Sequence, residues 1–476
     1  MAGSQEFHDI AASYLGGPVS QYRLNELIRD LILLYRRNDL PVVDISVPEQ
    51  DITDGTVQLI VREGRIGQVR VEGAHFFDPD VLAKQIWLCP GEPIYESWLQ
   101  HELRWLYRNP FRTINLELTP GEYPGETDII FNVEDKLPVR LYAGYEDTGN
   151  QALGLERTFY GINWYNAFKK DDYAGYQYTA SSDFSSLGAH SAFYSTALHN
   201  RDIVTVYGSY AELTSPLGII TNKGRSWQVL SRWYRELCPH GCYEHAITAG
   251  LDIKQTNTNL DQGGVLVFNS NADIFQFMLG YVGRYEDCNG SWSIGADAYF
   301  SPGDVLDRNT DAAFQQIRAF ATADYFYARG FAEKRINLPH CYEFVARATG
   351  QVAEGNLLPT EQLGLGGYNS IRGYDLFSVV GDSGYFFNLE LWTPVRCVKG
   401  GELRCLAFVD MGQAFNHTLL PLESASTDMQ GAGVGFRYTL DPHLTVRCDY
   451  GWQLSRLNPL FGQPESRWHV GVVASY

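Results

Sequence analysis

The chain has 476 residues, a formal net charge of −19, and 45% hydrophobic, 14% aromatic and 20% charged residues, with a mean hydropathy of −0.23. So many aromatics at so modest a charge density exclude intrinsic disorder, and an acidic chain without a basic footprint is no reader of nucleic acid. The surplus lies in 30 Tyr, 25 Phe, 10 Trp and 46 Gly against 4 Met, a mix suited to many strands and to aromatic girdles at a bilayer interface.

No charged segment followed by an apolar one opens the chain, so Met1-Ala2-Gly3-Ser4-Gln5 reads as a start from which any export signal has been removed. Residues 1–64 predict an α+β unit. Leu24, Leu27, Ile28, Leu31, Leu34 and Tyr35 recur at helical spacing behind a capping Ser20. Residues 42–47 and 57–61 read as strands on either side of a turn at 51–55. The apolar run at 31–35 is far short of the ~20 residues a spanning helix needs.

Residues 65–137 repeat the plan. A strand at 66–71 precedes a helix started by Asp78-Pro79. A second helix covers 96–107, with Trp98, Leu103, Trp105 and Leu106 as its apolar surface, and strands follow at 114–118 and 128–133. The sequences at 57–63 and 128–134 rhyme, which marks a repeat of roughly 70 residues.

From residue 138 to 476 the texture is all-β. Segments of about ten residues alternate strictly, as in Ile247-Thr248-Ala249-Gly250-Leu251-Asp252-Ile253-Lys254, where one face is apolar and the other carries Asp and Lys. Sixteen such segments begin near residues 139, 158, 173, 190, 203, 226, 244, 273, 291, 316, 342, 385, 406, 431, 445 and 468. Long connectors fall on alternate junctions, at 213–224, 256–272, 302–314, 354–384 and 416–430. A soluble sandwich or barrel would also alternate, with its apolar face inward. The even count, the loops long on one side and short on the other, and the terminal Tyr476 favour a transmembrane barrel, apolar outward and polar toward a wet lumen. Without a spanning helix, a closed sheet is the structure left that pairs every backbone group in hydrocarbon. Sixteen strands enclose an aqueous passage, which something has to occupy or gate.

The longest connector contains Leu365-Gly366-Gly367-Tyr368-Asn369-Ser370-Ile371-Arg372-Gly373-Tyr374-Asp375, and two strands later comes Phe408-Val409-Asp410-Met411-Gly412. An Asp on the polar face at mid-strand needs a partner, and an Arg bracketed by glycines in a long loop offers a planar fork for it. Mere solvation of both charges in the lumen is the plainer alternative.

With these residues the chain resembles the outer-membrane translocators of two-partner secretion, the haemolysin secretion/activation type, among barrels preceded by POTRA domains. That superfamily carries a Val/Ile-Arg-Gly-Phe/Tyr signature in its sixth outer loop, matched by Ile371, Arg372, Gly373 and Tyr374. Its Phe-x-Asp-x-Gly signature in the thirteenth strand is matched by Phe408, Asp410 and Gly412. The resemblance implies two POTRA-like domains (1–64 and 65–137) in the periplasm, and a sixteen-stranded barrel (138–476) in the bacterial outer membrane. It implies a monomer, bathed in outer-membrane lipid, that exports an unfolded, β-rich partner exoprotein. It implies no cofactor, no nucleic-acid partner and no enzymatic step. No phosphate-binding Gly-x4-Gly-Lys-Ser/Thr occurs, in keeping with transport driven by cargo folding outside. Exposed POTRA sheet edges would add an extended cargo segment as a strand, which nominates 57–61 and the helix 96–107 as contacts. Members of this family commonly carry a plug helix before the first POTRA unit. The chain starts after that point, through removal or because this member lacks a plug, which leaves occlusion to the Arg372 loop. An insertase of the same superfamily and a passive porin are the alternatives. Two POTRA units and sixteen strands favour the exporter over the insertase, and the two signatures argue against a porin.

Eight cysteines remain. An oxidising periplasm permits disulfides: Cys397 with Cys405 across a hairpin end, and Cys238 with Cys242 around Pro-His-Gly. His240 and His245 lend the latter pair a metal-like spacing, but four ligands within eight residues make a poor tetrahedron, so no metal is expected. Cys288 and Cys341 lie in turns on one side, while Cys89 and Cys448 are expected unpaired, Cys448 facing lipid. No Gly-x-Ser-x-Gly or His-Glu-x-x-His is present, so no catalytic residue is nominated. Asp252, Asp297, Asp324, Asp449, Arg318, Arg347, Arg437 and Arg447 read as lumen charges.

Overall fold

The structure, a computed structural model, describes residues 3–53, 55–149, 154–217, 220–262, 265–421, 423–457 and 465–476. It divides into two compact units, Met1–Pro138 with Tyr165–Asp171, and Val139–Trp164 with Asp172–Tyr476.

In the first unit, α1 (Gln5–Ala12) and α2 (Gln21–Arg37) start at serines whose side chains accept backbone N–H groups, Ser4 from Phe7 and Ser20 from Arg23. Leu31, Leu34 and Tyr35 are the buried stripe of α2. Strands β1 (Val43–Ser46) and β2 (Ile60–Glu63) pair antiparallel. The strand expected from residue 57 thus starts at Ile60. The backbone N–H and C=O of Gln58 are taken by the Gln50 side chain, at 2.7 and 2.9 Å, instead of by a ladder.

A three-stranded sheet follows, in the order β3 (Arg65–Glu72), β5 (Glu126–Asp135), β4 (Arg112–Pro120). The parallel pairing of β3 with β5 needs a crossover, which contains α3 (Pro79–Ala83) and α4 (Glu96–Tyr107). Asp78 caps α3 and Pro79 fills its first turn. Ile66, Leu82, Leu99, Leu106, Ile129 and Phe131 form the dry interior. The rhyming segments differ in context, because β2 belongs to a two-stranded sheet and β5 is the centre of three strands. Asp171 is buried here in a bidentate pair with Arg112, at 2.6 and 3.0 Å, with Arg108 at 2.8 Å.

The second unit is a closed antiparallel barrel. Its wall runs through β6 (Val139–Glu146), β7 (Arg157–Trp164), β8 (Tyr173–Ser181), β9 (Leu187–Ala197), β10 (Ile203–Leu217), β11 (Ile220–Glu236), β12 (Tyr243–Gln262), β13 (Val265–Asp287) and β14 (Gly290–Pro302). Past α5 (Asp311–Ile317) come β15 (Asp324–Asn337) and β16 (Glu343–Ala353). The next connector holds a small hairpin of β17 (Leu363–Leu365) and β18 (Val379–Gly381). The wall resumes with β19 (Ser383–Trp392) and the short β20 (Arg396–Val398), which share one position against β21 (Gly401–Phe415). After β22 (Ser426–Leu440) and β23 (Leu444–Gln453), β24 (Ser466–Ser475) pairs with β6 and closes sixteen wall positions.

Three expected boundaries are corrected. Gln316 lies in α5, and the tenth strand starts at Asp324. Thr310 caps that helix, and its Phe314 is fully buried in a cluster with Ile274, Ala321 and Tyr325, so local capping and one apolar anchor override the alternation. The connectors expected at 213–224 and 256–272 are strand for most of their length, since the ladder runs out to Leu217↔Ile220 and Gln262↔Val265. Backbone pairing continues there after the apolar alternation of the sequence has given way to Thr-Asn-Thr-Asn at 256–259. At 20 and 23 residues, β12 and β13 exceed the ~9–11 that a tilted span requires.

Side chains sort as a membrane barrel demands. Leu279, Ile294, Phe331, Val352, Val409 and Val434 are exposed, while Asp252, Gln276, Gln351, Asn388, Asp410 and Asp449 are buried. Exposed Trp164, Trp227, Trp292, Trp452 and Trp468 add the interfacial aromatics.

Candidate functional site

The segment between β16 and β19 is held at its root and at its tip. At the root, Asp382 pairs with Arg318 (Nη2 to Oδ2, 2.9 Å) and accepts the backbone N–H groups of Leu357 at 2.9 Å and His417 at 3.1 Å. The β17–β18 hairpin then carries the chain to a tight turn. Gly366 and Gly367 have φ of 101° and 92° there, a region open to glycine at little cost. Ile371 and Tyr374 are fully buried in an apolar cluster with Leu365, Phe386 and Met429, and this places Arg372 between them.

Arg372 reaches Asp410 three times. Its Nε donates to Oδ2 and its Nη2 to Oδ1, both at 2.8 Å, and its backbone N–H donates to Oδ2 at 3.0 Å. The remaining Nη1 faces Glu390 at 2.8 Å and Asp449 at 3.5 Å. The guanidinium lies 3.6 Å from the Phe408 ring centroid, so Phe408 supplies a π face as Asp410 supplies charge. Asn388 Nδ2 donates to Asp410 at 2.8 Å, and Arg437 grips Asp449 at 2.6 and 2.8 Å. Buried charges persist only with partners of this kind.

The loop backbone is clamped too. Gly373 N–H donates to His469 Nε2 at 3.0 Å, and Gln453 donates to the Gly373 carbonyl at 2.8 Å. Tyr374 Oη sits between the carbonyls of Gln430 and Ser455, at 2.8 and 2.6 Å. Such close approach needs bare backbone on the wall. A Cβ on Gly431 would stand 2.2 Å from the Arg372 carbonyl oxygen, and one on Gly451 2.5 Å from the Gly373 nitrogen. Gly412 serves the wall instead, where a Cβ would meet the Tyr385 carbonyl at 2.6 Å.

Sequence reasoning named Arg372, Asp410 and Phe408, and placed Asp449 and Arg437 in the lumen. It missed Asn388, Glu390, His469, Gly431 and Gly451. The period-two intrusion of Asn388 and Glu390 into the apolar run at 385–392 was the available signal. Of the other lumen charges, Arg447 pairs with Glu146 at 2.8 Å across the closing strands, and Arg347 pairs with Glu333.

The expected disulfides are absent, and all eight cysteines are free. Cys397 stands opposite Glu402, while Cys405 exchanges bonds with Thr393 at 2.9 and 3.0 Å, so the hairpin register separates the two sulfurs. Leu237 N–H donates to the His245 carbonyl, and His245 Nε2 lies 3.1 Å from the Cys238 carbonyl. The register that pairs Glu236 with Ala246 continues with Leu237 opposite His245, which sets Cys238 opposite Glu244 rather than Cys242.

The arrangement compares directly with known proteins. The chain is 21% identical over 463 residues to the heme/hemopexin transporter protein HuxB of Haemophilus influenzae, covering 92% of this chain and 78% of that one. It is 21% identical over 492 residues to the outer membrane transporter CdiB of Dickeya dadantii, covering 98% and 82%. The solved structure of CdiB from Escherichia coli aligns with a TM-score of 0.79 at 20% identity, covering 99% of this chain and 88% of that one. A ShlB-type POTRA domain model matches residues 2–64. The model of the haemolysin secretion/activation proteins ShlB/FhaC/HecB matches residues 125–438, and the chain belongs to that family.

Proposed function

We propose that the protein exports an unfolded partner exoprotein through its barrel, and that the Arg372 loop closes the passage until cargo engages. It is an outer-membrane transporter of the two-partner secretion type with its POTRA region in the periplasm. The observation that carries the gating reading is the buried contact of Arg372 with Asp410, which ties a long loop to the inner face of the wall. The polar part of the loop's grip consists of hydrogen bonds and ion pairs, which an incoming polar chain can exchange one by one, while Ile371 and Tyr374 add an apolar anchor.

In this reading residues 1–64 and 65–137 are two POTRA-like receiving domains. Cargo backbone adds to a sheet edge there, and exposed Trp98 and Tyr107 of α4 offer apolar contact. Leu99, Trp105 and Leu106 of the same helix are buried, so they serve the interior. The outward apolar band meets outer-membrane lipid, and one chain forms the whole pore.

Co-expression with a candidate secreted partner protein tests the proposal. Export of that protein, lost on deletion of this chain and restored by it, is the expected result. Insertion of other barrels without export of any partner would contradict it, as would a channel that stands steadily open.

A further inference from the structure

The Arg372 pair holds one side of the loop, and the opposite side has a hold of its own. Glu361, on the limb entering the β17–β18 hairpin, is 2% exposed. Its carboxylate accepts from Lys254 Nζ at 2.9 and 3.1 Å, from Tyr327 Oη at 2.7 Å and from Gln276 Nε2 at 3.2 Å. These side chains come from β12, β15 and β13, a stretch of wall on the far side of β16 from β21. The Glu361 carbonyl is also held, by Gln351 Nε2 at 3.0 Å, and the same amide donates to the Asp382 carbonyl at 2.9 Å, clipping both limbs of the loop together.

We propose that Glu361 is a second latch of the gate, a positioning residue that docks the loop on the β11–β15 wall while Arg372 docks it on the β19–β23 wall. This rests on the gating reading above. The two latches have opposite sign. Glu361 brings a negative charge to a wall where Lys254 and Arg232 face Asp252. Arg372 brings a positive charge to a wall where Asp410, Asp449 and Glu390 face Arg437. Withdrawing Glu361 leaves Lys254, Arg232 and Arg329 against Asp252 and Asp297, one charge in excess. Withdrawing Arg372 leaves three carboxylates against Arg437 alone, two in excess. Uncompensated buried charge is the main cost of breaking such pairs. The Glu361 latch is therefore the weaker of the two and gives way first when cargo enters.

Single-channel recording of the full chain in planar bilayers tests this with Glu361→Gln, Lys254→Met, the double variant and Arg372→Ala, each first checked for heat-modifiable gel migration as a sign of a folded barrel. Loss of a charge-assisted bond raises the open probability about tenfold for Glu361→Gln. Lys254→Met, which leaves the loop sequence untouched, does the same, and the double variant goes no further than either single one. Arg372→Ala opens the channel more. Unchanged closure in Glu361→Gln and Lys254→Met beside an opened Arg372→Ala overturns the second latch and spares the gating reading. Simple addition of the two single effects likewise overturns it, because the two residues would then act separately. Closure unchanged in all four variants overturns gating by the loop altogether.

Discussion

Arg372 and Asp410, 38 residues apart in sequence, are joined by three hydrogen bonds of 2.8, 2.8 and 3.0 Å, and both side chains are almost wholly withdrawn from solvent. Removal of one partner from such a pair costs about 3–5 kcal/mol. Arg372→Ala should therefore undock the loop and reduce export by more than tenfold, with the barrel still inserted. Arg372→Lys keeps the charge but not the fork, because one ammonium cannot serve both oxygens of Asp410 and Glu390 together. It should fall between wild type and Ala. Secretion of the partner, compared with the amount of heat-modifiable barrel, is the measurement. Normal export by Arg372→Ala would remove the pair from the mechanism.

The same loop should be displaced without touching a charge. A Cβ at Gly431 would lie 2.2 Å from the Arg372 carbonyl, and the nearby atoms are backbone, which yields little. Overpacking of this kind costs about 1–3 kcal/mol. Gly431→Ala and Gly451→Ala should each raise basal conductance in the direction of Arg372→Ala, by a smaller factor. Gly208→Ala, where a Cβ meets only the Gln228 carbonyl oxygen at 3.9 Å, is the control. Equal closure in all three would show that the loop is not pressed on the wall at these glycines.

What could be read from the sequence follows from how local each cause is. The alternation at 247–254 fixes which face of β12 is lipid-facing, because a strand's period is two whatever its neighbours do. The Arg372 and Asp410 motifs were legible because a lone Arg between glycines and a mid-strand Asp each lack a local partner. Glu361 was not, since Lys254, Gln276 and Tyr327 come from three distant strands. Nor was the start of β15: residues 316–323 alternate like a strand, yet the first two end the helix capped by Thr310 and anchored by Phe314, and the strand begins at Asp324. The structure leaves the nominated cysteine pairs unbridged for a related reason. Spacing along a turn does not give register across it, and register decides which sulfurs meet.

In the first unit, Asp171 gives an acid-sensitive element. Burial opposes its ionisation, yet Arg112 and then Arg108 outweigh that effect and hold the carboxyl below its usual range. A carboxylate depressed on folding contributes stability that is complete above its unfolded value of about 4 and is lost as pH falls through the folded value. The segment Tyr165–Asp171, whose Asp171 N–H donates to Asn166 Oδ1 at 3.0 Å, should thus keep its protection at pH 5–8 and lose it progressively below about 4. Asp171→Asn should lower protection already at neutral pH and flatten the pH response. Amide hydrogen exchange, corrected for intrinsic rates, reports both. A pH response that survives in Asp171→Asn would place the titrating group elsewhere.

The thiols supply a chemical check on the barrel's turns. Cys89, Cys238, Cys242, Cys288, Cys341 and Cys397 are exposed, while Cys405 on β21 and Cys448 on β23 lie on the outward face, both level with Phe436. A charged maleimide reaches water-exposed thiolates and is kept from a lipid-facing strand. Protein purified without reductant in a lipid nanodisc should therefore take up six labels, with two more at Cys405 and Cys448 only after unfolding. Four labels in the folded protein, rising to six on treatment with reductant, would mean that one pair of turn cysteines is bridged. Peptide mapping would then identify it, and the register that keeps Cys397 from Cys405 would need to shift for that pair to be the one found.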